Sequence, residues 1–260
     1  MSFQVGVVVP TMGSRPEFIL ECLGSIRESG NAFILIVAPD LEFITRSIPA
    51  ELYDRLLLDP KLGLATAINL GIADLPSENE FVTWLGDDDL LEKGSLSHAL
   101  SPLLEDATCV FSFGRCDYIN SNGEVIWSNR SGRYAVPLLR FGPQMIPQPG
   151  SLIRRTAFIE LGGLDNQYKW AFDLDLFIRL RQLGSLRFVN QKLASFRWHE
   201  GSLSVGGRAG SVLEAGQIRQ KSLPFMLRVL SPIWEFPLRR LIMIAGFRLS
   251  RLVSKSLGNL

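Results

Sequence analysis

The sequence contains little cysteine or histidine and no long apolar run. Its three cysteines, Cys22, Cys109 and Cys116, are odd in number and lack the CxxC spacing of metal sites. We therefore expect no disulfide framework and a reducing compartment. No apolar stretch approaches the ~20 residues that cross a bilayer, so we expect no transmembrane segment. The first residues lack the basic region and cleavage site of a signal peptide, and none is expected.

Charge is distributed unevenly along the 260 residues. The whole chain has a net charge of +1, but residues 219–260 contain eight Lys and Arg residues against Glu235 alone, which gives them +7. These basic residues alternate with aliphatic and aromatic ones. The pattern is typical of an amphipathic segment on an anionic membrane surface, and also of a helical pair that packs on the main domain with a basic outer face. The interleaving argues against a nucleic-acid partner.

The first part of the chain predicts an α/β fold. Short apolar, β-branched runs at 5–9, 33–37 and 81–85 alternate with helical patterns at 16–29 and 64–73. Such strands predict a mainly parallel sheet covered by helices on both faces. The Asn122-Gly123 pair between 109–113 and 124–127 predicts a small hairpin region. We therefore predict one α/β domain at 1–218, followed by a basic amphipathic helical tail at 219–260.

Three adjacent carboxylates, Asp87, Asp88 and Asp89, directly follow the strand at 81–85. They repel one another unless a positive charge lies among them, and oxygen-only ligation suits Mg²⁺ or Mn²⁺ with a substrate diphosphate. Alternatively, the triplet is a solvated loop that caps the next helix. Because ligands bind at the carboxyl ends of strands in open α/β sheets, the position of the triplet favours a functional site.

A second acidic group lies at the start of the helical pattern near residue 176. One helix cap would explain either Asp173 or Asp175 but not both. The neighbouring Trp170 and Phe172 would lower the local polarity, raise a carboxylate pKa towards the range of a general base, and provide a surface for a sugar ring. His199 lies in a polar loop with glycine and serine, although a lone histidine is more often structural than a ligand.

Together these segments resemble the family 2 glycosyltransferases of GT-A fold, over roughly residues 4–205. The resemblance is carried, in chain order, by residues 8–11, 62–72, 84–96, 150–155, 161–165, 173–176 and 197–202. Residues 84–96 resemble the D-x-D metal region of the family. Residues 173–176 resemble its catalytic E-D-x-D motif, and 197–202 its closing metal-contact loop. The combination is specific because the motifs occur in the expected order.

The resemblance implies an inverting transfer of a sugar from a nucleotide diphosphate sugar to a hydroxyl of a saccharide or lipid-linked saccharide. Asp88, Asp89 and His199 would hold Mn²⁺ or Mg²⁺, and Asp173 would remove the acceptor proton. The implied donor-binding residues are Pro10, Thr11, Asp40, Gly63, Asn69 and Asp87. Trp170 and Phe172, with the loop at 128–150, are the expected acceptor contacts. The expected location is the cytoplasm, with peripheral binding to the inner face of the membrane through the tail.

The sequence departs from the family pattern at three places. Gly86 stands where the first acid of D-x-D is expected, Ala38-Pro39 replaces an acidic pair and leaves Asp40 for base contact, and Phe172 replaces the acid before Asp173. The missing acids leave open a catalytically inactive saccharide-binding relative. A nucleotidyltransferase could use the same carboxylates. However, it needs a glycine-rich basic loop, and residues 11–15 resemble such a loop only weakly.

Overall fold

The computed structural model describes residues 4–129, 131–198 and 207–257, with side chains described up to residue 244 except at 208. A single mixed sheet of nine strands runs through it. The strands are β1 Val5–Pro10, β2 Ala32–Ala38, β3 Arg55–Leu58, β4 Phe81–Trp84, β5 Leu90–Leu91, β6 Cys109–Ile119, β7 Val125–Asn129, β8 Leu152–Arg154 and β9 Ser185–Arg197. Their order is β3-β2-β1-β4-β8-β6-β9-β5, and β7 pairs with β6.

Ten α-helices accompany the sheet in the described ranges. They are α1 Pro16–Ser29, α2 Leu41–Ser47, α3 Leu64–Asp74, α4 Ser95–Glu105, α5 Ala135–Leu138, α6 Arg155–Glu160, α7 Phe172–Leu183, α8 Arg208–Ser222, α9 Phe225–Leu230 and α10 Pro232–Leu257. Two short 3₁₀ turns lie at Ala50–Leu52 and Gly132–Tyr134. None of the described helices is both long enough and apolar enough to cross a membrane.

The alternation of buried side chains along β1 explains why helices cover both faces of the sheet. Val8 belongs to one apolar core, with Ile68 of α3 and Phe177 of α7. Val7 belongs to the other core, with Leu23 of α1. Because successive side chains of a strand point to opposite faces, one Val-rich strand supplies both cores. The predicted α/β class with helices on both faces of the sheet is confirmed.

The sheet is parallel only in part. β3, β2, β1 and β4 run parallel, whereas β8 runs antiparallel to both β4 and β6. The predicted hairpin is present as β6 and β7, which pair antiparallel. In its turn the Asn120 side chain accepts hydrogen bonds from the backbone N–H of Asn122 and Glu124, and Gly123 takes a positive φ of 83°. The prediction missed β3, β5, β8 and β9.

The C-terminal region is helical, as expected. The predicted boundary between residues 218 and 219 falls inside α8, so α8 belongs to both predicted segments, and the division into domain and tail stays a prediction. Arg219 of α8 is buried and donates from Nε to Oε1 of Glu235 on α10 at 2.7 Å. This buried pair joins α10 to α8.

Candidate active site

A cavity of about 730 Å³ opens at the carboxyl ends of β1 and β4. Its walls come from the loops after these strands, the N-terminus of α3, the start of α7, the ends of β6 and β9, and residues 144–149. Ser211 and Ala215 of α8 close another side. In open α/β sheets this edge is the usual place for ligands.

One side of the cavity presents groups that suit a phosphate. Gly63, the N-cap residue of α3, has a φ of 104°, and no side chain caps the helix there. Lys61 also lines the cavity and holds a left-handed φ of 60°, while its N–H donates to Oδ1 of Asp59 at 2.8 Å. The positive end of a helix dipole and a lysine therefore border the same space.

The three adjacent carboxylates have three different environments. Asp87 accepts a hydrogen bond from Thr11 Oγ1 at 2.5 Å, which links the ends of β4 and β1. Asp88 forms an ion pair with Arg15 at 3.6 Å. Asp89 is buried and accepts from the backbone N–H of Arg197 at 2.9 Å. Burial raises the pKa of Asp89 well above its ordinary value, and the nearby charge of Asp88 adds to the rise.

The triplet does not cap a helix, so that alternative interpretation is wrong. The short strand β5 follows it, and α4 begins only after Gly94, whose φ is 72°. All three acids, Asp87, Asp88 and Asp89, line the cavity. The carboxylates therefore lie at the cavity and not at a helix end.

Arg197, at the end of β9, supports the triplet. Its side chain is only 2% exposed and its guanidinium lies over the ring of Phe18 at 4.3 Å. It donates to the backbone carbonyl of Asp88 at 2.9 Å, to the carbonyl of Ser121 at 2.9 Å, and to the carboxylate of Glu21. A fixed positive charge therefore lies beside the acid triplet, and its bond to the Asp88 carbonyl holds the loop to the end of β9.

Asp173 lies in the first turn of α7 and lines the cavity. Its Oδ1 accepts from the N–H of Leu174 at 2.8 Å, and its Oδ2 accepts from Nε2 of Gln144 at 3.3 Å. Burial raises the pKa of Asp173 from 3.8 to about 6, because these two hydrogen bonds only partly offset the loss of water around the carboxylate. The site thus contains a carboxylate whose pKa is raised into the range of a general base.

Glu214 of α8 holds the segment that precedes Asp173. Its carboxylate accepts from the backbone N–H groups of Lys169, Trp170 and Ala171 at 3.0, 2.8 and 3.0 Å. Ala171 is the N-cap of α7 and provides no side-chain cap of its own. Glu214 therefore supplies the negative charge that the start of this helix favours.

Aromatic residues form the walls on the acceptor side of the predicted site. Trp170 packs against Gly207 and Gly210, where a Cβ atom would come within 1.9 and 2.3 Å of its ring. Phe172 is buried, and its ring lies 6.4 Å from that of Trp84. A second group of rings lies on β6, β7, β9 and directly after β9, and its centroids are 4.8 to 6.2 Å apart. It comprises Tyr118, Trp127, Phe196 and Trp198.

Comparison with known proteins identifies the family. The family model described as "Glycosyl transferase family 2" matches residues 6–162 of the chain. This match covers β1 to α6 and includes Asp87 to Asp89. The chain belongs to glycosyl transferase family 2. No curated protein sequence gave a significant match.

Solved glycosyltransferase structures share the fold. PcManGT, a mannosyltransferase from Pyrobaculum calidifontis solved with GDP-Man and Mn²⁺, is 17% identical, with a TM-score of 0.62 over 98% of this chain and 79% of that one. S. aureus TarS 1-349 in complex with UDP is 12% identical, with a TM-score of 0.61 over 87% and 68%. GalNAc-T7 with UDP, GalNAc and Mn²⁺ is 14% identical, with a TM-score of 0.61 over 83% and 47%. At these identities the likeness establishes the GT-A fold.

Most of the residues predicted for the glycosyltransferase site lie around one cavity. They are Pro10, Thr11, Gly63, Asp87, Asp88, Asp89, Trp170, Phe172 and Asp173. His199 lies outside the described residues. Asp40 and Asn69 are not in the cavity wall: Asp40 caps α2 by accepting from the N–H of Phe43 at 2.9 Å. The Asn69 amide bonds to the backbone N–H and carbonyl of Leu164, both at 2.9 Å, and so joins α3 to the loop before α7.

Several cavity residues were not predicted from the sequence. They are Arg15, Asp59, Lys61, Tyr118, Gln144, Gln148, Phe196 and Trp198. The Pro60-Lys61 pair follows β3, so an assignment of that strand would have placed Lys61 at the same sheet edge as Thr11. Gln144 and Gln148 lie in the irregular segment at 128–150, which the sequence indicated only as a whole.

The residues present fit a hard divalent cation. Asp87 and Asp88 offer carboxylate oxygens in the cavity wall, and oxygen donors are those that Mg²⁺ and Mn²⁺ take. Within residues 4–129, 131–198 and 207–257 no three His, Cys, Asp or Glu side chains converge to hold a metal. A site of one or two carboxylates completed by substrate phosphates matches this arrangement.

Proposed function

We propose that this family 2 glycosyltransferase transfers a sugar, with inversion at the anomeric carbon, from a nucleotide diphosphate sugar to an acceptor hydroxyl. The proposal rests on one observation: Asp173, whose pKa is raised to about 6, lines the same cavity as Asp87 and Asp88. A single displacement at a sugar carbon requires a proton acceptor and a site for a metal-bound diphosphate on the same cavity.

The donor side is formed by the ends of β1 and β4 and the start of α3. Asp88, supported by Asp87 and Asp89, would hold Mn²⁺ or Mg²⁺, which neutralises diphosphate charge and stabilises the leaving nucleotide. Lys61 and the N-terminus of α3 provide further positive charge towards a diphosphate. Asp87 is already fixed by Thr11, and Arg197 fixes the carbonyl of Asp88, so the loop is ordered before the donor binds.

Asp173 acts as the general base in this proposal. The acceptor hydroxyl passes its proton to Asp173 as its oxygen forms the bond to the anomeric carbon, and the bond to the diphosphate oxygen breaks. Gln144 orients the carboxylate through Oδ2. Such base catalysis typically contributes ~10²–10⁴-fold to the rate.

The acceptor lies between the aromatic walls and Asp173. Trp170 and Phe172 precede the base in sequence, and the rings of Tyr118, Phe196 and Trp198 line the cavity as well. Aromatic faces stack on sugar rings, so a saccharide acceptor suits these walls.

A binding experiment tests the donor side. Nucleoside diphosphates and their sugars are titrated calorimetrically with Mn²⁺ and with a chelator, on the wild type, Asp88→Asn and Asp40→Asn. Asp88→Asn should remove the metal-dependent part of the affinity. Asp40→Asn is the matched control, because Asn also caps helices well and Asp40 lies outside the cavity wall. Equal metal-dependent binding by the wild type and Asp88→Asn would reject the role of Asp88.

The same panel separates the alternatives. Saccharide binding without turnover of any sugar nucleotide would indicate an inactive relative. Release of pyrophosphate from a nucleoside triphosphate would indicate a nucleotidyltransferase. Release of the nucleoside diphosphate with transfer of the sugar, and inversion of the anomeric configuration by NMR, supports the proposal.

A further inference from the structure

The helices α9 and α10 carry large apolar side chains that nothing in the described structure covers. Phe225, Met226 and Ile233 are 77%, 79% and 73% exposed. We call these exposed residues the tail surface: Phe225, Met226, Val229, Leu230, Ile233, Phe236, Leu241 and Ile244. Single scattered exposed apolar residues are normal, but eight of them on two consecutive helices indicate an interaction surface.

The helices that carry the tail surface are fixed to the catalytic domain. The buried pair of Arg219 and Glu235 joins α8 to α10. Gly216 of α8 lets the guanidinium of Arg239 approach, since a Cβ atom there would lie 2.3 Å from it. Because α8 also holds the segment before Asp173 through Glu214, the tail surface has a defined position relative to the active site.

A second exposed apolar segment adjoins the tail surface. Tyr134, Leu138 and Phe141 are 62%, 43% and 41% exposed, and the ring of Phe141 lies 6.4 Å from that of Trp234 on α10. The same chain segment continues inward to Gln144, which bonds to Asp173. The exposed surface therefore borders the acceptor side of the cavity.

The charges around the tail surface are positive. Glu235 is the only acid between residues 219 and 260 and it is buried, whereas Arg228 and Arg240 are exposed. Arg240 lies 4.6 Å above the ring of Phe236. An apolar face bordered by basic residues complements an anionic lipid leaflet. It does not complement a second copy of itself, because two such faces would bring like charges together.

We propose that α9, α10 and the segment with Tyr134, Leu138 and Phe141 dock this enzyme on an anionic membrane leaflet. The apolar side chains enter the boundary between headgroups and acyl chains, and the arginines bind lipid phosphates. If the proposed transfer holds, an acceptor saccharide on a lipid anchor would reach the cavity along the segment that ends at Gln144. Docking itself does not depend on the transfer reaction.

Vesicle co-sedimentation of the full chain tests the docking. The vesicles contain phosphatidylcholine alone or mixed with phosphatidylglycerol. The wild type should bind the mixed vesicles and leave the neutral ones largely unbound. The double variant Phe225→Gln with Met226→Gln should lower the partition coefficient by roughly tenfold or more, and Arg240→Gln by about fivefold. Ile159→Gln on α6, where Ile159 is 62% exposed, is the matched control and should bind like the wild type.

Other outcomes would overturn the proposal. Absence of wild-type binding to mixed vesicles, or equal binding to both kinds, would exclude an anionic leaflet as the partner. A dimer in solution that dissociates in the double variant, without vesicle binding, would identify the tail surface as an interface between copies. Because the double variant changes no cavity residue, donor binding measured in parallel should be unchanged. If the wild type bound no sugar-nucleotide donor, this result would contradict the proposed function but not the docking.

Discussion

Replacement of Asp173 by Asn is expected to remove the general base while the local structure persists. The amide oxygen of Asn can still accept from the N–H of Leu174, and the amide of Gln144 can rotate so that its Oε1 accepts from the new NH₂. This Oε1 is buried and has no partner within the described residues. The local structure should therefore persist, while the general base is lost. Turnover should fall by ~10²–10⁴-fold with nearly unchanged donor affinity.

The same change should stabilise the protein above neutral pH. The pKa of Asp173 rises from 3.8 to about 6 on folding, so between these values the folded state binds more protons than the unfolded state. The unfolding free energy of the wild type therefore decreases as pH rises through this window. A shift of roughly two pKa units corresponds to about 3 kcal/mol. The neutral amide of Asp173→Asn would carry no such penalty, so the variant should gain up to that amount above pH ~6 and nothing below pH ~4.

Urea unfolding at several pH values and pH–rate profiles together test this reasoning. The acid limb of the wild-type kcat profile should have an apparent pKa near 6 and be absent from the residual activity of Asp173→Asn. Asp175→Asn is the control on the same helix: Asp175 pairs with Arg179 at 2.7 Å and does not line the cavity, so its replacement should preserve turnover. Near wild-type turnover in Asp173→Asn would refute the base assignment. Unchanged stability at high pH would refute the burial argument.

Three other substitutions test the support of the site. Glu214→Gln weakens three backbone hydrogen bonds, so the unfolding free energy in urea should fall by about 1–3 kcal/mol and kcat should fall with it, whereas the exposed Glu160→Gln should change neither. Arg197→Lys keeps the charge but cannot make the three directional hydrogen bonds of the guanidinium. We therefore expect the unfolding free energy to fall by about 2–3 kcal/mol and nucleotide binding to weaken in calorimetry. Unchanged values would contradict the supporting role of Arg197. Gly210→Ala would stabilise an isolated helix by ~1 kcal/mol. In this structure, however, the new Cβ atom would lie 2.3 Å from the Trp170 ring, so we expect a raised KM for the acceptor and lower thermal stability. A gain in stability would show that the ring moves freely.

The sequence was sufficient to predict those elements and contacts for which the local residue pattern and the sheet geometry agree. The strand β1 and helix α1 follow directly from a β-branched run and from apolar residues at helical spacing. The proximity of Thr11 and Asp87 follows from the parallel pairing of β1 with β4, since both residues lie just beyond the carboxyl ends of their strands. These two facts place most of the predicted site around one cavity.

Other features depend on contacts that no local pattern reveals. The strand β3 is a half-exposed run of four residues, and β9 alternates polar and apolar residues irregularly over 13, so neither has the buried apolar run of β1. Arg197 would be expected on the surface, but partners 76 and 176 residues away in sequence allow its burial. Glu214 reaches the start of α7 from a helix more than 30 residues further along the chain. Sequence separation hides such residues even when they support the site.

Phe172 stands where the family pattern has an acid, and this replacement favours catalysis by Asp173. Phe172 is buried beside Trp84, so it contributes to the desolvation that raises the pKa of Asp173, whereas an acid there would place a second charge next to the base. Among the described residues, the hydrogen bonds of Asp173 come from Leu174 and Gln144, and neither partner is a cation. Asn could make both bonds without the cost of a buried charge. A packing role alone therefore does not explain a carboxylate at residue 173, while proton transfer from an acceptor hydroxyl does.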